Sequence, residues 1–132
     1  MSVFYDIKGK SVNVSKIREI GIARKDALRI IFDDGDSEIY SVYGDAADEK
    51  ERLGMVITQL IPCSASFYNI YDNEDGGYFR ERVDFFALCA DGAVRSLSNA
   101  DGYFVIADVT SNFIGCFEES RLSYFPESPS EA

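Results

Sequence analysis

The chain has 132 residues, of which 46% are hydrophobic, and this is enough for one domain with a core of its own. Its 23 Asp and Glu outnumber its 13 Lys and Arg, which gives a net charge of −10. A chain this acidic is not expected to bind nucleic acid directly or to attach to an anionic membrane surface, because both depend on basic side chains.

The first elements are predicted to be β-strands. Residues 3–7 and 12–22 are two predicted strands, with a tight turn at Gly9 between them. Residues 27–32 and 37–43 are predicted to form a hairpin, because Asp34-Gly35 stands between two apolar stretches and such a turn requires positive φ.

One amphipathic helix is predicted at about residues 45–61. Asp45 is suited to the N-cap, and Asp48 places negative charge in the first turn, where the helix dipole favours it. Asp48 and Arg52 have the i,i+4 spacing of an ion pair, and Pro62 ends the helix. The apolar stripe consists of Leu53, Val56, Ile57 and Leu60.

The second half begins with a predicted strand at 66–71 and an exposed acidic loop at 72–77. A second hairpin is predicted around Asp91-Gly92, between residues 83–89 and 93–97. Asp101-Gly102 opens a further turn before a predicted strand at 103–109.

Residues 111–122 fit a helix or a strand equally well, and the Pro- and Ser-containing segment 126–132 is expected to be a flexible tail. The pattern predicts an α+β fold: a mostly antiparallel sheet, either continuous or as two subsheets of β-hairpins, with one main helix covering a face. Residues 1–125 are expected to form a single domain.

The residue inventory argues against an enzyme and against a metal or cofactor site. The chain contains no histidine, which removes the usual general base and the commonest transition-metal ligand. Cys63, Cys89 and Cys116 are widely spaced and form no Cys-x-x-Cys pair, so they are expected to be thiols in a reducing compartment. No phosphate-binding glycine motif, export signal or long apolar stretch is present, and a cytoplasmic location in the native or a host cell is expected.

Charge and aromatic residues are distributed unevenly. Residues 67–132 contain twelve Asp and Glu against four Arg and no Lys, a net of −8, and thirteen of the eighteen aromatic residues. Acidic side chains attract a cationic partner and aromatic faces accept guanidinium groups. The predicted partner-binding residues are the acids Asp72, Glu74, Asp75 and Asp101 and the neighbouring aromatics Tyr71, Tyr78, Phe79 and Tyr103.

This composition predicts a non-enzymatic inhibitor or immunity-type protein, monomeric or homodimeric, that mimics nucleic acid and occupies the basic surface of a nucleic-acid-binding effector or toxin. In composition the chain is similar to anti-CRISPR proteins and nuclease immunity proteins, which are small, acidic and poor in motifs. An alternative is a small-ligand binding module with an anion pocket that uses Arg18 and Arg29. A third is a module that self-associates through exposed strand edges.

Overall fold

Antiparallel β-structure dominates the computed structural model, which describes residues 2–127. The α+β class expected from the sequence is confirmed. The strands and the helix follow along the chain as β1 (Phe4–Ile7), β2 (Lys10–Asn13), β3 (Ile17–Arg24), β4 (Ala27–Phe32), β5 (Ser37–Ser41), α1 (Ala46–Gly54), β6 (Ile57–Pro62), β7 (Phe67–Asp72), β8 (Tyr78–Arg82), β9 (Phe85–Cys89), β10 (Val94–Ala100), β11 (Tyr103–Ile106) and β12 (Phe113–Glu118). Short 3₁₀ helices occupy Val14–Lys16, Ala107–Val109 and Glu119–Tyr124.

Two compact units make up the chain. The first unit comprises residues 1–59 and 88–93, and the second comprises residues 60–87 and 94–132. Strands β6 and β9 each begin in one unit and end in the other. The single domain expected over residues 1–125 stays a prediction.

The first unit contains the β1–β2 hairpin and the antiparallel sheet β3-β4-β5. The Asp34-Gly35 hairpin lies where the sequence predicts it, and the Phe32 amide donates to the Asp36 carbonyl at 2.8 Å. The predicted strand at 12–22 is interrupted by the 3₁₀ helix at Val14–Lys16, in which the Asn13 side chain accepts from the Ser15 amide. The core contains Leu28 and Ile30 of β4, packed with Leu53 of α1.

Helix α1 is shorter than predicted. Asp45 is its N-cap, with a side-chain oxygen 2.8 Å from the Ala47 amide, but the prediction of helix to residue 61 is wrong. The Gly54 carbonyl accepts from the Asp91 amide at 3.1 Å, and this interaction replaces a continuing helical bond. The β-branched residues that follow, Val56 to Thr58, favour the extended conformation of β6.

The ion pair on the helix also differs from the prediction. Arg52 binds Glu49, one turn earlier at i,i+3, and not Asp48. Glu49 also accepts a hydrogen bond from the Tyr5 hydroxyl at 2.8 Å, so this carboxylate is held between two donors.

The second unit contains the antiparallel sheet β12-β7-β8, and β10 and β11 form the end of a sheet ordered β11-β10-β9-β6. Strand β8 was not predicted, and the ambiguous segment 111–122 is strand β12 followed by a 3₁₀ helix. The tail expected from residue 126 begins against β8, because the Tyr78 amide donates to the Pro126 carbonyl at 2.9 Å. Residues 128–132 of that tail lie outside the described residues.

Candidate partner-binding surface

A network of buried and half-buried polar side chains connects β7, β8 and β10 inside the second unit. The Ser96 hydroxyl donates to Asn69 Oδ1 at 2.6 Å. Glu81, which lies opposite Asn69 on β8, accepts from the Tyr71 hydroxyl at 2.9 Å and from the Ser98 hydroxyl at 2.9 Å. The network therefore ties the two strands that lead into exposed acidic turns, β7 and β10, to the interior of the unit.

Two exposed turns of the second unit follow the ends of β7 and β10. These turns carry the exposed side chains Asp72, Glu74, Asp75 and Asp101, and we call this set the acidic end. The Asp72 amide donates to the Asn112 carbonyl at 2.8 Å, which fixes the base of the β7–β8 turn. The structure thus places the four acids predicted as partner-binding residues in two exposed turns of the same unit.

The basic residues of the second unit lie elsewhere. Residues 60–87 and 94–132 contain eleven Asp and Glu, four Arg and no Lys, a net of −7. Arg82 lies opposite Tyr68, at the other end of β7. Arg121 follows β12 at that same far end, because Glu118 lies opposite Phe67.

The two remaining arginines are engaged within the fold. Arg80 donates to the carbonyls of Leu122 at 3.0 Å and Phe125 at 2.9 Å. Arg95 approaches Asp108 at 3.8 Å, near the start of β10. Each of the four arginines of the unit therefore lies at the far end of β7 or is bound to acceptors within the fold.

The four predicted aromatic residues differ in accessibility. Tyr71 is half-buried, its ring lies edge-on to Phe113 at 5.7 Å, and burial raises the pKa of its hydroxyl to about 12. Tyr78 and Phe79 are also half-buried, and the Tyr78 ring packs edge-on to Phe125 at 5.3 Å. Tyr103, by contrast, is 76% exposed and follows directly after the Asp101 turn.

Three apolar residues of β11 and the following 3₁₀ helix are also exposed, and the sequence reasoning did not assign them to the surface. Phe104 is 38% and Val105 42% exposed, and Val109 is exposed as well. One signal in the sequence could have identified them: a short apolar strand follows the Asp101-Gly102 turn. A short strand of this kind is often at the edge of a sheet, where its side chains are less buried.

The alternative anion pocket is only partly assembled. In the first unit, Arg18 lines an open cavity of about 450 Å³ between β3, α1 and the residues after β9. Arg29 does not line it, and lies on β4 opposite Gly21 and Ile39. The other charged lining residues are Lys50, Glu19, Glu51 and Asp91, so carboxylates outnumber cations.

The cysteine side chains are shielded to different degrees. Cys89 is buried, and Cys63 and Cys116 are half-buried. Burial raises the pKa of the Cys116 thiol, which disfavours the reactive thiolate. The Cys63 thiol donates to the Ala65 carbonyl at 3.0 Å.

Within residues 2–127, no group of three or more Cys, Asp or Glu side chains is arranged to hold a metal ion. No helix in the described part of the chain has both the length and the apolar character needed to cross a membrane. Comparison of the chain with protein-family models, with curated proteins and with solved structures finds no match in any of the three.

Proposed function

We propose that the protein is a non-enzymatic acidic binding protein of the inhibitor or immunity type, which uses its acidic end to occupy the basic surface of a nucleic-acid-handling protein. One observation carries the proposal: Asp72, Glu74, Asp75 and Asp101 lie exposed in two turns of a unit of net charge −7, whose four arginines lie at the far end of β7 or are bound within the fold. Carboxylates grouped in this way are able to take the place of phosphates on a surface rich in Arg and Lys.

The exposure of the acidic end suits ionic association. Exposed ion pairs contribute at most about 1 kcal/mol each, so the affinity has to come from several carboxylates acting together and from apolar contacts beside them. Tyr103, exposed next to Asp101, supplies an aromatic face for a guanidinium group. A surface of negative charge raises the rate at which a basic partner associates, and added salt reduces this effect because it screens the charges.

The proposal assigns no catalytic step to the chain. There is no histidine in the sequence, and the acids of the acidic end lie in exposed turns, unlike the desolvated carboxylates of most reaction centres. We expect the protein to act as a monomer or homodimer in the cytoplasm of the native or a host cell, where its partner works.

The alternative function, a small-ligand module, is supported by the cavity beside Arg18. That cavity is large enough for a small molecule at about 450 Å³. Its excess of carboxylates over cations is unfavourable for an anion, and Arg29 does not line it, so the acidic-surface proposal explains more of the described structure.

Affinity capture with matched charge reversals tests the proposal. The acidic-end variant carries Glu74→Lys and Asp75→Lys, and the control carries Asp33→Lys and Asp36→Lys in the exposed β4–β5 turn of the first unit. Both variants change the net charge equally. We expect a basic, nucleic-acid-binding protein to be retained in stoichiometric amount by the wild type and the control and lost by the acidic-end variant.

Two outcomes count against the proposal. Equal loss of the partner from both variants would mean that total charge, and not the acidic end, governs binding. A small molecule recovered from the denatured wild-type protein, with no protein partner, would favour the ligand cavity instead.

A further inference from the structure

We propose that the open edge of β11 holds the basic partner by strand addition: an extended, Arg- or Lys-containing segment pairs with the backbone of residues 103–106. This inference rests on the proposed function, because it specifies how the backbone of the basic partner is bound next to Asp101 of the acidic end. Strand β11 is the terminal strand in the order β11-β10-β9-β6, and it pairs with β10 alone in the described sheets.

The turn before β11 determines which backbone groups point outward. Asp101 has φ 53° and Gly102 has φ 89°, so both central residues of this two-residue turn have the positive φ of a type I′ hairpin. In such a hairpin the residues that close the loop, Ala100 and Tyr103, form a hydrogen-bonded pair. Because bonded and non-bonded pairs alternate, Phe104, opposite Asn99, directs its N–H and C=O away from β10.

The edge of β11 is ordered and unprotected. The Phe104 ring lies edge-on to Phe85 at 5.3 Å, which anchors the strand, while Tyr103 and Val105 leave their side chains exposed on the other face. Proteins commonly protect an edge strand with Lys, Pro or a bulge. Residues 103–106 contain neither Lys nor Pro, and their pairing with β10 has an unbroken register.

In the other sheet of the same unit, the edge strand β8 is covered by a segment near the C-terminus. At the edge of β8, the Tyr78 amide donates to the Pro126 carbonyl, and Tyr78 forms a parallel bridge with Glu127. Arg80 holds this C-terminal segment through the carbonyls of Leu122 and Phe125. No comparable segment lies along β11 among the described residues.

Charge complementarity selects a basic segment as the occupant. Asp101 lies in the turn that directly precedes β11, and the unit as a whole is strongly acidic. A second copy of this chain would bring two units of net −7 together, which opposes pairing between copies. A segment that alternates a cation with a β-branched residue would offer its cations to Asp101 and its apolar side chains to Val105.

The length of the edge limits the occupant to a short segment. Four residues of β-strand extend over about 13 Å at roughly 3.3 Å per residue. A hexapeptide therefore covers the edge, and the probe is a capped hexapeptide that alternates arginine and valine. Its control replaces each valine with proline, which keeps the charge and removes the backbone N–H of every second residue.

Titration of the wild-type protein at low salt, with amide hydrogen exchange as a second readout, tests the inference. We expect the valine peptide to bind about tenfold more tightly than the proline peptide and to slow exchange of the Phe104 amide, because only it makes the additional hydrogen bonds. Equal binding of both peptides at the acidic end would overturn strand addition and leave the proposed function standing. Failure of both peptides to bind would count against the proposed function itself.

A matched pair of variants isolates the outward amide. Phe104→Pro removes the N–H that faces away from β10, and Phe104→Ala removes the side chain but keeps that N–H. We expect Phe104→Pro to bind the valine peptide about tenfold more weakly than Phe104→Ala, and both to bind the proline peptide equally. Indistinguishable binding of the valine peptide by the two variants would refute strand addition, as would a wild-type dimer that Phe104→Pro dissociates.

Discussion

Truncation of Asn69 to Ala should be among the most destabilising polar substitutions in the second unit. Asn69 is 0% exposed. Its Nδ2 donates to the Leu97 carbonyl at 3.1 Å and to Glu81 Oε1 at 3.1 Å, and its Oδ1 accepts from the Ser96 hydroxyl at 2.6 Å. The network also joins β7 to β8 and β10, so its loss affects the strands that lead into the turns of the acidic end.

The expected magnitude follows from the partners that Asn69→Ala leaves behind. The Leu97 carbonyl and the Ser96 hydroxyl are buried, and each buried group left without its partner costs about 1–3 kcal/mol. Partial relaxation reduces the sum, so we expect the free energy of unfolding to fall by about 3 kcal/mol. That is a large share of the roughly 5–15 kcal/mol typical of a domain.

Equilibrium urea unfolding at neutral pH measures this loss, with Asn99→Ala as the control. Asn99 is exposed and caps the Gly102 amide at 3.0 Å, so its replacement should cost about 1 kcal/mol or less. Ser96→Ala, alone and combined with Asn69→Ala, completes a double-mutant cycle in which the two losses should not add. A loss below about 1 kcal/mol for Asn69→Ala, or additive losses in the cycle, would refute the reasoning.

Four further outcomes are expected. Because folding raises the pKa of Tyr71 from 10.0 to about 12, stability should be constant below pH 10 and fall as the pH rises towards 12, and urea unfolding of Tyr71→Phe should show a smaller fall. Arg80→Met should destabilise the protein by about 1–2 kcal/mol and speed amide exchange at Phe125, because the carbonyls near the C-terminus lose their donor. Dialysis against a chelator should leave the melting temperature unchanged, and a fall of several degrees would reveal a structural metal. Replacing all three cysteines with Ala should cost about 1–2 kcal/mol and still give a cooperatively unfolding protein, whereas loss of folding under reducing conditions would reveal a disulfide.

Local signals in the sequence predicted the local structure. The Asp34-Gly35 and Asp91-Gly92 hairpins and the Asp45 cap depend on residues next to one another, and the structure contains all three. The end of α1 could not be predicted in this way. It depends on the hydrogen bond that the Asp91 amide donates to the Gly54 carbonyl, and Asp91 is 37 residues beyond Gly54 in the chain.

Strand β8 was not predicted because its charged residues are typical of a solvent-exposed loop. Arg80 and Glu81 stand side by side, yet Arg80 binds carbonyls near the C-terminus and Glu81 accepts from Tyr71 and Ser98. These partners are distant along the chain, so no local pattern reveals them. The acids of the acidic end, by contrast, lie in the two exposed turns that the local sequence predicts, at residues 72–77 and at Asp101-Gly102.

Chemical-shift mapping with a capped hexa-arginine peptide at low salt tests the central claim most directly. The turn at residues 33–36 provides a comparison within the chain, because it carries three exposed acids, as does the turn at residues 72–75. Our account predicts that the largest amide shifts fall at residues 72–76 and 101–104 and diminish as salt is added. Shifts centred on residues 33–36, or spread evenly over both turns, would contradict it.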